Sequence, residues 1–253
     1  MGVARPKCLD LFCGAGGAAM GLYRAGFDIV GIDNRRQPRY PFPFIQADAL
    51  RPPVRLEDFD LVWASPPCQG YSIMRNLPWL KDRHYPMLIE QVRAALLASG
   101  VIYVVENVPG APLKSPARLC GISFGLKVYR HRLFESNFTI LTPPHQHHEQ
   151  VICGGRNLKS RARRNTWNRS GNRINMDNGF CSVTGDIGTS AVVREAMGID
   201  WMRGDDISQA IPPAYSEHIG YYAMMALGLD PDAMKRDGPT MAAHGTKRGR
   251  GEI

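Results

Sequence analysis

Several short apolar runs in this chain end at a residue whose side chain can do chemistry, and this repeated pattern restricts the fold more than any other feature. Phe27–Asp33 and Phe44–Asp48 end in aspartates, Val101–Glu106 ends in a glutamate, and Leu61–Ala64 leads through two prolines to Cys68. Such runs are typical of buried strands, and proline ends them because it cannot continue a hydrogen-bonded ladder. Ligands of doubly wound sheets bind at the carboxyl ends of the strands. The pattern therefore predicts an α/β fold, a doubly wound sheet with reactive groups along one edge.

A glycine-rich turn follows the first predicted strand. Lys7–Phe12 reads as that strand, Cys13-Gly14-Ala15-Gly16-Gly17 as the turn, and Ala18–Ala25 as a helix. Glycines at such a turn permit positive φ and let a ligand approach the backbone closely. Asp33, at the end of the second strand, is placed to accept both hydroxyls of a ribose. Together they predict a nucleoside-cofactor site, although Asp33 as a helix cap or turn residue remains the structural alternative.

Composition limits the kind of protein this is. With 253 residues, 44% of them hydrophobic, the chain can bury a sizeable core. It has no apolar run of the roughly 18 residues that a membrane span needs, and its polar start lacks the core of a signal peptide. We expect an intracellular protein with no membrane association, whose six scattered cysteines are free thiols. The spacing of His145, His147, His148 and Cys153 fits no standard zinc pattern, so no metal is predicted.

The charge points to a polyanionic partner. The formal net charge is +8, and one stretch without Asp or Glu holds Arg161, Arg163, Arg164 and four further basic residues around Trp167. Such a stretch could contact phosphates with an aromatic side chain near a base, or could be a solvated loop. Gly70–Arg83 lacks clean periodicity and reads as a mobile loop.

The remaining elements suggest how the chain is divided. Tyr85–Ser99, Ser190–Met197 and a last segment ending at Leu227 have helical character, whereas Leu113–Gly125 is rich in turn residues. We predict a catalytic and cofactor-binding part (1–135), a small target-recognition insert (136–185), a return to the catalytic domain (186–230) and a disordered basic tail (231–253).

These motifs, in this order, resemble the DNA (cytosine-5)-methyltransferase family. Asp10–Gly17 is similar to its cofactor loop, Pro66-Pro67-Cys68-Gln69 to its nucleophile motif, Glu106-Asn107-Val108 to its glutamate motif, and Arg130-His131-Arg132 to its arginine pair. A weaker match runs from Arg194 to Ile219. The resemblance implies a Rossmann-like S-adenosylmethionine-dependent methyltransferase sheet.

The resemblance also implies roles for individual residues. Cys68 would add to carbon 6 of cytosine, so that carbon 5 can accept a methyl group, and Glu106 would hydrogen-bond the ring, which requires a raised pKa. Arg130 and Arg132 would hold the carbonyl oxygen and a phosphate, and either Arg132 or a nearby backbone dipole would favour the Cys68 thiolate. The implied cofactor contacts are Phe12, Gly14, Gly16, Gly17, Asp33, Asp48 and Pro67. The implied substrate contacts are Gln69, Asn107, Arg161, Arg163 and Arg164.

The implied substrate is a cytosine flipped out of double-stranded DNA by a monomeric enzyme in the cytoplasm of a prokaryotic or phage-infected cell, because a stacked base cannot be reached from both faces. Two alternatives stay open: methylation of cytosine in transfer RNA, and a catalytically silent DNA-binding regulatory subunit. Three departures from the family pattern stand out. Val128 replaces a usual glutamine, Pro212–Tyr215 replaces Gly-Asn-Ser, and the short span from Asn107 to Arg130 predicts a trimmed helix and strand.

Overall fold

The protein is built on one seven-stranded sheet. The computed structural model describes residues 4–72, 84–145, 147–148, 152–154, 180–183 and 191–235. The strand order is β3-β2-β1-β4-β5-β7-β6, and β7 runs antiparallel to both of its neighbours while the pairs from β3 through β5 are parallel. The strands are β1 (Lys7–Leu11), β2 (Asp28–Asp33), β3 (Phe44–Gln46), β4 (Leu61–Ala64), β5 (Ile102–Asn107), β6 (Ala117–Leu119) and β7 (Arg132–Ser136). The predicted doubly wound α/β sheet is therefore confirmed.

Helices cover both faces of this sheet. They are α1 (Gly17–Ala25), α2 (Ile89–Ser99), α3 (Ala191–Met197), α4 (Asp205–Gln209), α5 (Pro213–Ala226) and α6 (Pro231–Met234). On one face α1 and α5 pack against a core that includes Trp63 and Phe134. On the other face α2 packs against the alternate side chains of the same strands. Both faces of the central strands are thus buried, which explains their continuous apolar sequences.

Close packing of α1 against α5 depends on a glycine. A Cβ atom at Gly21 would lie 2.0 Å from the Pro213 carbonyl oxygen and 2.2 Å from Ser216 Oγ. The backbones of the two helices can approach this closely only because Gly21 has no side chain. This contact sets the position of α1, whose N-terminus follows the glycine-rich turn.

Helix α2 begins later than its sequence pattern predicted. The prediction was Tyr85–Ser99, and the helix starts at Ile89. Tyr85 precedes Pro86, and a residue before proline is disfavoured in helical conformation. The Tyr71 hydroxyl accepts a hydrogen bond from the Ile89 amide at 3.2 Å, so a side chain beside the Cys68 turn satisfies the first turn of the helix.

Two further differences concern short elements. A shortened helix and strand were predicted between Asn107 and Arg130. The strand is the three-residue β6, and the helix is reduced to a 3₁₀ turn, Gly121–Phe124. The tail predicted to be disordered from Pro231 begins instead with α6, which Asp230 caps by accepting from the Asp232 amide. The remaining tail, 236–253, lies outside the described residues.

A smaller apolar cluster joins the last third of the chain to the sheet. Val193 and Met197 of α3, with Trp201 and Ile207, pack against Met20 of α1. Two three-residue strands, β8 (Ile152–Gly154) and β9 (Phe180–Ser182), pair in parallel and form a separate small sheet. They fall inside the insert predicted for 136–185, whose boundaries stay a prediction. None of the helices in the described ranges is long and apolar enough to cross a membrane.

Candidate active site

Cys68 lies on a turn that hydrogen bonds fix from both sides. The turn leaves β4 after Ala64, and the Asn107 side-chain amide, buried at the end of β5, donates to the Pro66 carbonyl at 2.9 Å. Beyond the cysteine, the Cys68 carbonyl accepts from the amides of Tyr71 and Ser72, each at 3.0 Å. Asn107 therefore positions the turn that carries Cys68, and its predicted contact with substrate stays a prediction.

Glu106 is a buried carboxyl group with several partners. Its Oε1 lies 3.1 Å from Arg132 Nε, and it also hydrogen-bonds the Ser65 hydroxyl. The same hydroxyl oxygen accepts from the Trp63 indole N–H at 3.0 Å. Burial raises the pKa of Glu106, and Arg132, Ser65 and Arg130 offset this only in part. The direction is the one that the sequence analysis required of this residue.

The two arginines are held in different ways. Arg132 opens β7 and pairs with Glu106, whereas Arg130 has φ 28° and donates to the carbonyls of Val183 (2.8 Å) and Ser208 (2.6 Å). The alternating sequence Tyr129–Phe134 predicts an extended segment with both arginines on one face, and this is wrong because the positive φ of Arg130 ends the extended backbone before β7. Burial, followed by the charge of Arg132, lowers the pKa of Arg130 to about 9, so the guanidinium stays charged at neutral pH.

The Cys68 thiol experiences opposing influences. Burial and the charge of Glu106 raise its pKa, while Arg132 and Arg130 lower it, and the net direction is upward. The sequence analysis expected the arginine to favour the thiolate, and its influence has that sign. Burial outweighs it in the free protein, so Cys68 rests as a thiol.

The predicted cofactor residues lie around the glycine-rich turn at the ends of β1 and β2. Each carboxylate oxygen of Asp33 accepts a backbone amide, Oδ2 from Gly14 at 3.1 Å and Oδ1 from Arg35 at 2.9 Å. A carboxylate has about four acceptor positions, so both oxygens can still accept hydroxyl groups. Gly14 has φ 50° with open space where a Cβ would be, which leaves room for a ligand against the backbone.

A tyrosine that the sequence analysis did not select covers the inner side of this turn. The Tyr40 ring packs against Gly16 and Gly31, where a Cβ would lie 3.1 and 2.3 Å from ring atoms. Its hydroxyl donates to Asp10 Oδ2 at 3.4 Å, and the other oxygen, Oδ1, is buried without a partner. Burial raises the pKa of Asp10 well above its ordinary value. A charged residue inside an apolar strand was the sequence signal for this site.

Other predicted cofactor residues have mixed surroundings. Phe12 holds a left-handed conformation (φ 58°), which a bulky residue adopts only where its surroundings enforce it. A Cβ at Gly17 would lie 2.6 Å from the Ile211 carbonyl oxygen, so packing alone requires this glycine. Asp48 Oδ1 accepts from the Leu50 amide, while Pro67 is half-buried beside Cys68.

The predicted substrate side is described only in part. Gln69 is exposed next to Cys68, where a ligand of the cysteine could reach it. Arg161, Arg163 and Arg164 lie outside the described residues, as do 73–83 of the predicted loop.

Comparison with known proteins shows which family these motifs resemble. A family model described as C-5 cytosine-specific DNA methylase matches residues 6–117, a segment that contains the glycine-rich turn, Asp33, Cys68 and Glu106. Over this segment the chain is similar to the DNA cytosine-5-methyltransferase family. Members of this family take their methyl group from S-adenosylmethionine. The unpartnered Asp10 oxygen, the open space at Gly14 and the available acceptors of Asp33 fit such a cofactor.

Individual relatives agree with this assignment. The chain is 31% identical over 125 residues to the Type II methyltransferase M.XorII of Xanthomonas oryzae pv. oryzae, covering 43% of this chain and 29% of that protein. It is 31% identical over 121 residues to the Type II methyltransferase M.AquIA of a Picosynechococcus species, covering 41% of this chain and 49% of that protein. The chain thus spans less than half of either relative in these matches.

A solved structure shows the same fold. The S. pombe Dnmt2 methyltransferase matches with a TM-score of 0.52 at 13% identity, covering 89% of this chain and 100% of that one. At this identity the likeness concerns the fold alone, and it extends beyond the segment that the sequence comparisons cover.

Proposed function

We propose that this protein transfers a methyl group from S-adenosylmethionine to carbon 5 of a cytosine in double-stranded DNA, through a covalent bond between Cys68 and carbon 6. The observation that carries the proposal is that Cys68 and Glu106, beyond and at the carboxyl ends of β4 and β5, meet Arg132 at the start of antiparallel β7, with Arg130 close enough to act on both Cys68 and Glu106. Bound S-adenosylmethionine supplies an electrophilic methyl group. Asp33, Gly14 and Asp10 are the residues of this chain that would hold it.

Each side chain has a distinct task in this proposal. The Cys68 sulfur forms the bond to carbon 6 after losing its proton, and the ring then carries electron density toward carbon 5. Glu106, whose pKa burial raises, takes up a proton as the base binds, donates it in a hydrogen bond to ring nitrogen 3 and so disperses that charge. Arg132 holds the Glu106 carboxyl group in place through the 3.1 Å contact. Carbon 5 then takes the methyl group, a water molecule accepts the carbon-5 proton, the sulfur–carbon bond breaks, and the released Cys68 thiolate regains a proton from solvent.

The geometry also explains why the free protein keeps a thiol. Burial and the Glu106 charge hold Cys68 protonated until a base enters. Substrate binding changes the charges that set the pKa of Cys68. A cytosine accepts the Glu106 proton in a hydrogen bond, and a DNA phosphate attracts the two arginines. The target base has to leave the helix stack to reach both residues.

The test is methyl transfer by a Cys68→Ser variant. We expect tritiated S-adenosylmethionine and duplex DNA to give less than about one hundredth of the wild-type rate, since the attacking sulfur is gone. Cofactor binding, measured by calorimetry, should change little because Cys68 is assigned no role in it. Clear turnover by the folded variant contradicts the covalent mechanism. Transfer RNA in a parallel assay separates the DNA proposal from the RNA alternative.

A further inference from the structure

Four side chains with metal-binding atoms converge outside the catalytic centre. Cys120 directly follows β6, His131 directly precedes β7, and His145 and His148 lie on the segment that leads to β8. One ligand atom from each lies within 4.8 Å of those of the other three. Sequence spacing alone predicted no metal, because it grouped His145 and His148 with His147 and Cys153 rather than with residues 14 or more positions earlier.

The distances within this cluster resemble those of a tetrahedral zinc site. Zn–N bonds of about 2.0–2.1 Å and Zn–S bonds of about 2.3 Å place ligand atoms about 3.3–3.6 Å apart. The Cys120 Sγ to His148 Nε2 distance is 3.4 Å, and His131 Nε2 to His145 Nε2 is 2.9 Å. All three imidazoles direct their Nε2 atoms into the cluster. Small ring movements would bring the set to the zinc geometry.

The donor types select the class of metal. One thiol and three imidazoles are nitrogen and sulfur ligands, which suit zinc and other late transition metals and do not suit magnesium or calcium. Four protein donors fill a tetrahedral site, which is the arrangement of structural rather than catalytic zinc. The three histidines, with Arg118 and His147, line an open cavity of about 430 Å³ that gives the cluster access to solvent.

The positive charge of Arg118 makes Cys120 the most important of the four donors. That charge, beside the cavity, disfavours a divalent cation, so the site needs the negative charge of a Cys120 thiolate. Cys120 is buried, and an unpaired thiolate there would be costly without a metal partner.

We propose that Cys120, His131, His145 and His148 bind one zinc ion, which fastens the first part of the predicted insert (136–185) to strands β6 and β7. Stacked rings join the same place to β9, because Tyr129 stacks on His148 at 3.8 Å and on Phe180 at 4.6 Å. His131 lies between Arg130 and Arg132, so the ion would also fix the backbone of the arginine pair.

Metal content of the untagged full-length protein tests the site directly. After purification without chelator, mass spectrometry should find about one zinc per chain. Cys120→Ser and His145→Ala should each bind zinc more than about tenfold more weakly. His147→Ala is the matched control, since His147 lines the same cavity but is not one of the four donors. It should retain zinc like the wild type.

Cobalt(II) gives a readout that does not depend on activity. Substituted into the metal-free protein, it should produce the visible absorption of tetrahedral coordination with a thiolate charge-transfer band, and Cys120→Ser should lose that band. Circular dichroism of each variant separates lost binding from lost folding, and His145, being exposed, can be replaced without disturbing a core. Wild-type protein that binds neither metal, or loss of zinc in His147→Ala equal to that in His145→Ala, would overturn the proposal.

Discussion

At the scale of single residues, Cys68 is acted on by one carboxyl group and two guanidinium groups with opposite effects. Burial and Glu106 raise the pKa of its thiol, and Arg132 and Arg130 lower it. Glu106 and Arg132 are themselves paired at 3.1 Å, so a change in either alters the charge that Cys68 experiences. The reactivity of the free thiol is therefore a direct probe of this arrangement.

We expect Glu106→Gln to make Cys68 more reactive toward iodoacetamide while slowing methyl transfer by about 100-fold or more. Removing the negative charge lowers the pKa of Cys68, which increases the thiolate fraction at every pH below that pKa and leaves it unchanged above. Each unit of the shift raises alkylation about tenfold at pH 7–8. Arg132→Gln, which removes a positive charge, should slow alkylation instead. Equal or slower alkylation of Glu106→Gln would falsify this account of the site.

At the scale of elements, a buried ion pair ties α2 to β7. Arg93 Nε and Nη2 contact the two carboxylate oxygens of Glu135 at 2.6 and 2.7 Å, and the side chains are 2% and 3% exposed. The Lys114 amide also donates to Glu135, and Arg93 donates to the Pro112 carbonyl. This network holds β7, the strand that begins with Arg132, against α2. Removing one of its charged partners leaves a buried group poorly compensated, which lowers the free energy of unfolding.

Glu135→Gln should lower the free energy of unfolding by about 1–3 kcal/mol, because it removes the buried counter-charge of Arg93 and leaves only the exposed Glu90, 2.6 Å away, to compensate the guanidinium. Burial alone would raise the pKa of Glu135, but hydrogen bonds from Arg93 and Lys114 hold it below its ordinary value. The stabilisation is therefore complete above the unfolded-state pKa and is lost as pH falls through the lower folded value. Urea denaturation at pH 7 and near pH 3 measures both the difference and its loss in acid.

The matched control is Glu57→Gln. Glu57 forms a 3.6 Å pair with Arg55 in which the side chains are 49% and 77% exposed, so its loss should cost less than about 1 kcal/mol. Equal destabilisation by the two variants contradicts the assignment of β7 stability to the buried pair.

At the scale of the whole molecule, the glycine-rich turn, where we propose that the cofactor binds, joins the two faces of the sheet. The glycine-rich turn runs from β1 into α1, which packs on one face, while Phe12 contacts the core on the other. Asp33 anchors this turn through the Gly14 amide. A cofactor bound there should stabilise the entire fold, because only the folded chain can bind it.

S-adenosylmethionine at about 100 times its dissociation constant should stabilise the wild type by about 2.7 kcal/mol. Asp33→Ala should weaken binding about tenfold or more, since charge-assisted hydrogen bonds to the ribose contribute about 1.5–3 kcal/mol. The shift in melting temperature at a fixed cofactor concentration measures this. Asp58→Ala, with the same charge change at an exposed 3₁₀ turn, should retain the wild-type shift. An unchanged shift in folded Asp33→Ala would place this residue outside the proposed cofactor site.

The amino-acid sequence alone was enough to predict strands β1 to β5, the reactive residues at their ends and the motifs that resemble a family. Asp33 and Glu106 end apolar runs and Cys68 follows one after a short proline turn, and such runs are local patterns that fold topology then brings to one edge. The glycine-rich turn and its helix were equally local, because φ freedom at Gly14 and Gly16 is a property of the residues themselves. These features were predictable since each depends on neighbours within a few positions.

Contacts between groups far apart in the sequence could be seen only in the folded molecule. The packing of Tyr40 on Gly31, the contact of Asn107 with Pro66 and the grouping of Cys120 with His148 join segments that no sequence period relates. The capped helix at Pro231–Met234 likewise depends on distant residues. The Met234 side chain is buried in the main core, and Arg5 donates a hydrogen bond to the Met234 carbonyl oxygen. The free energy of such contacts comes from burial and pairing across the folded molecule, which local propensity does not encode.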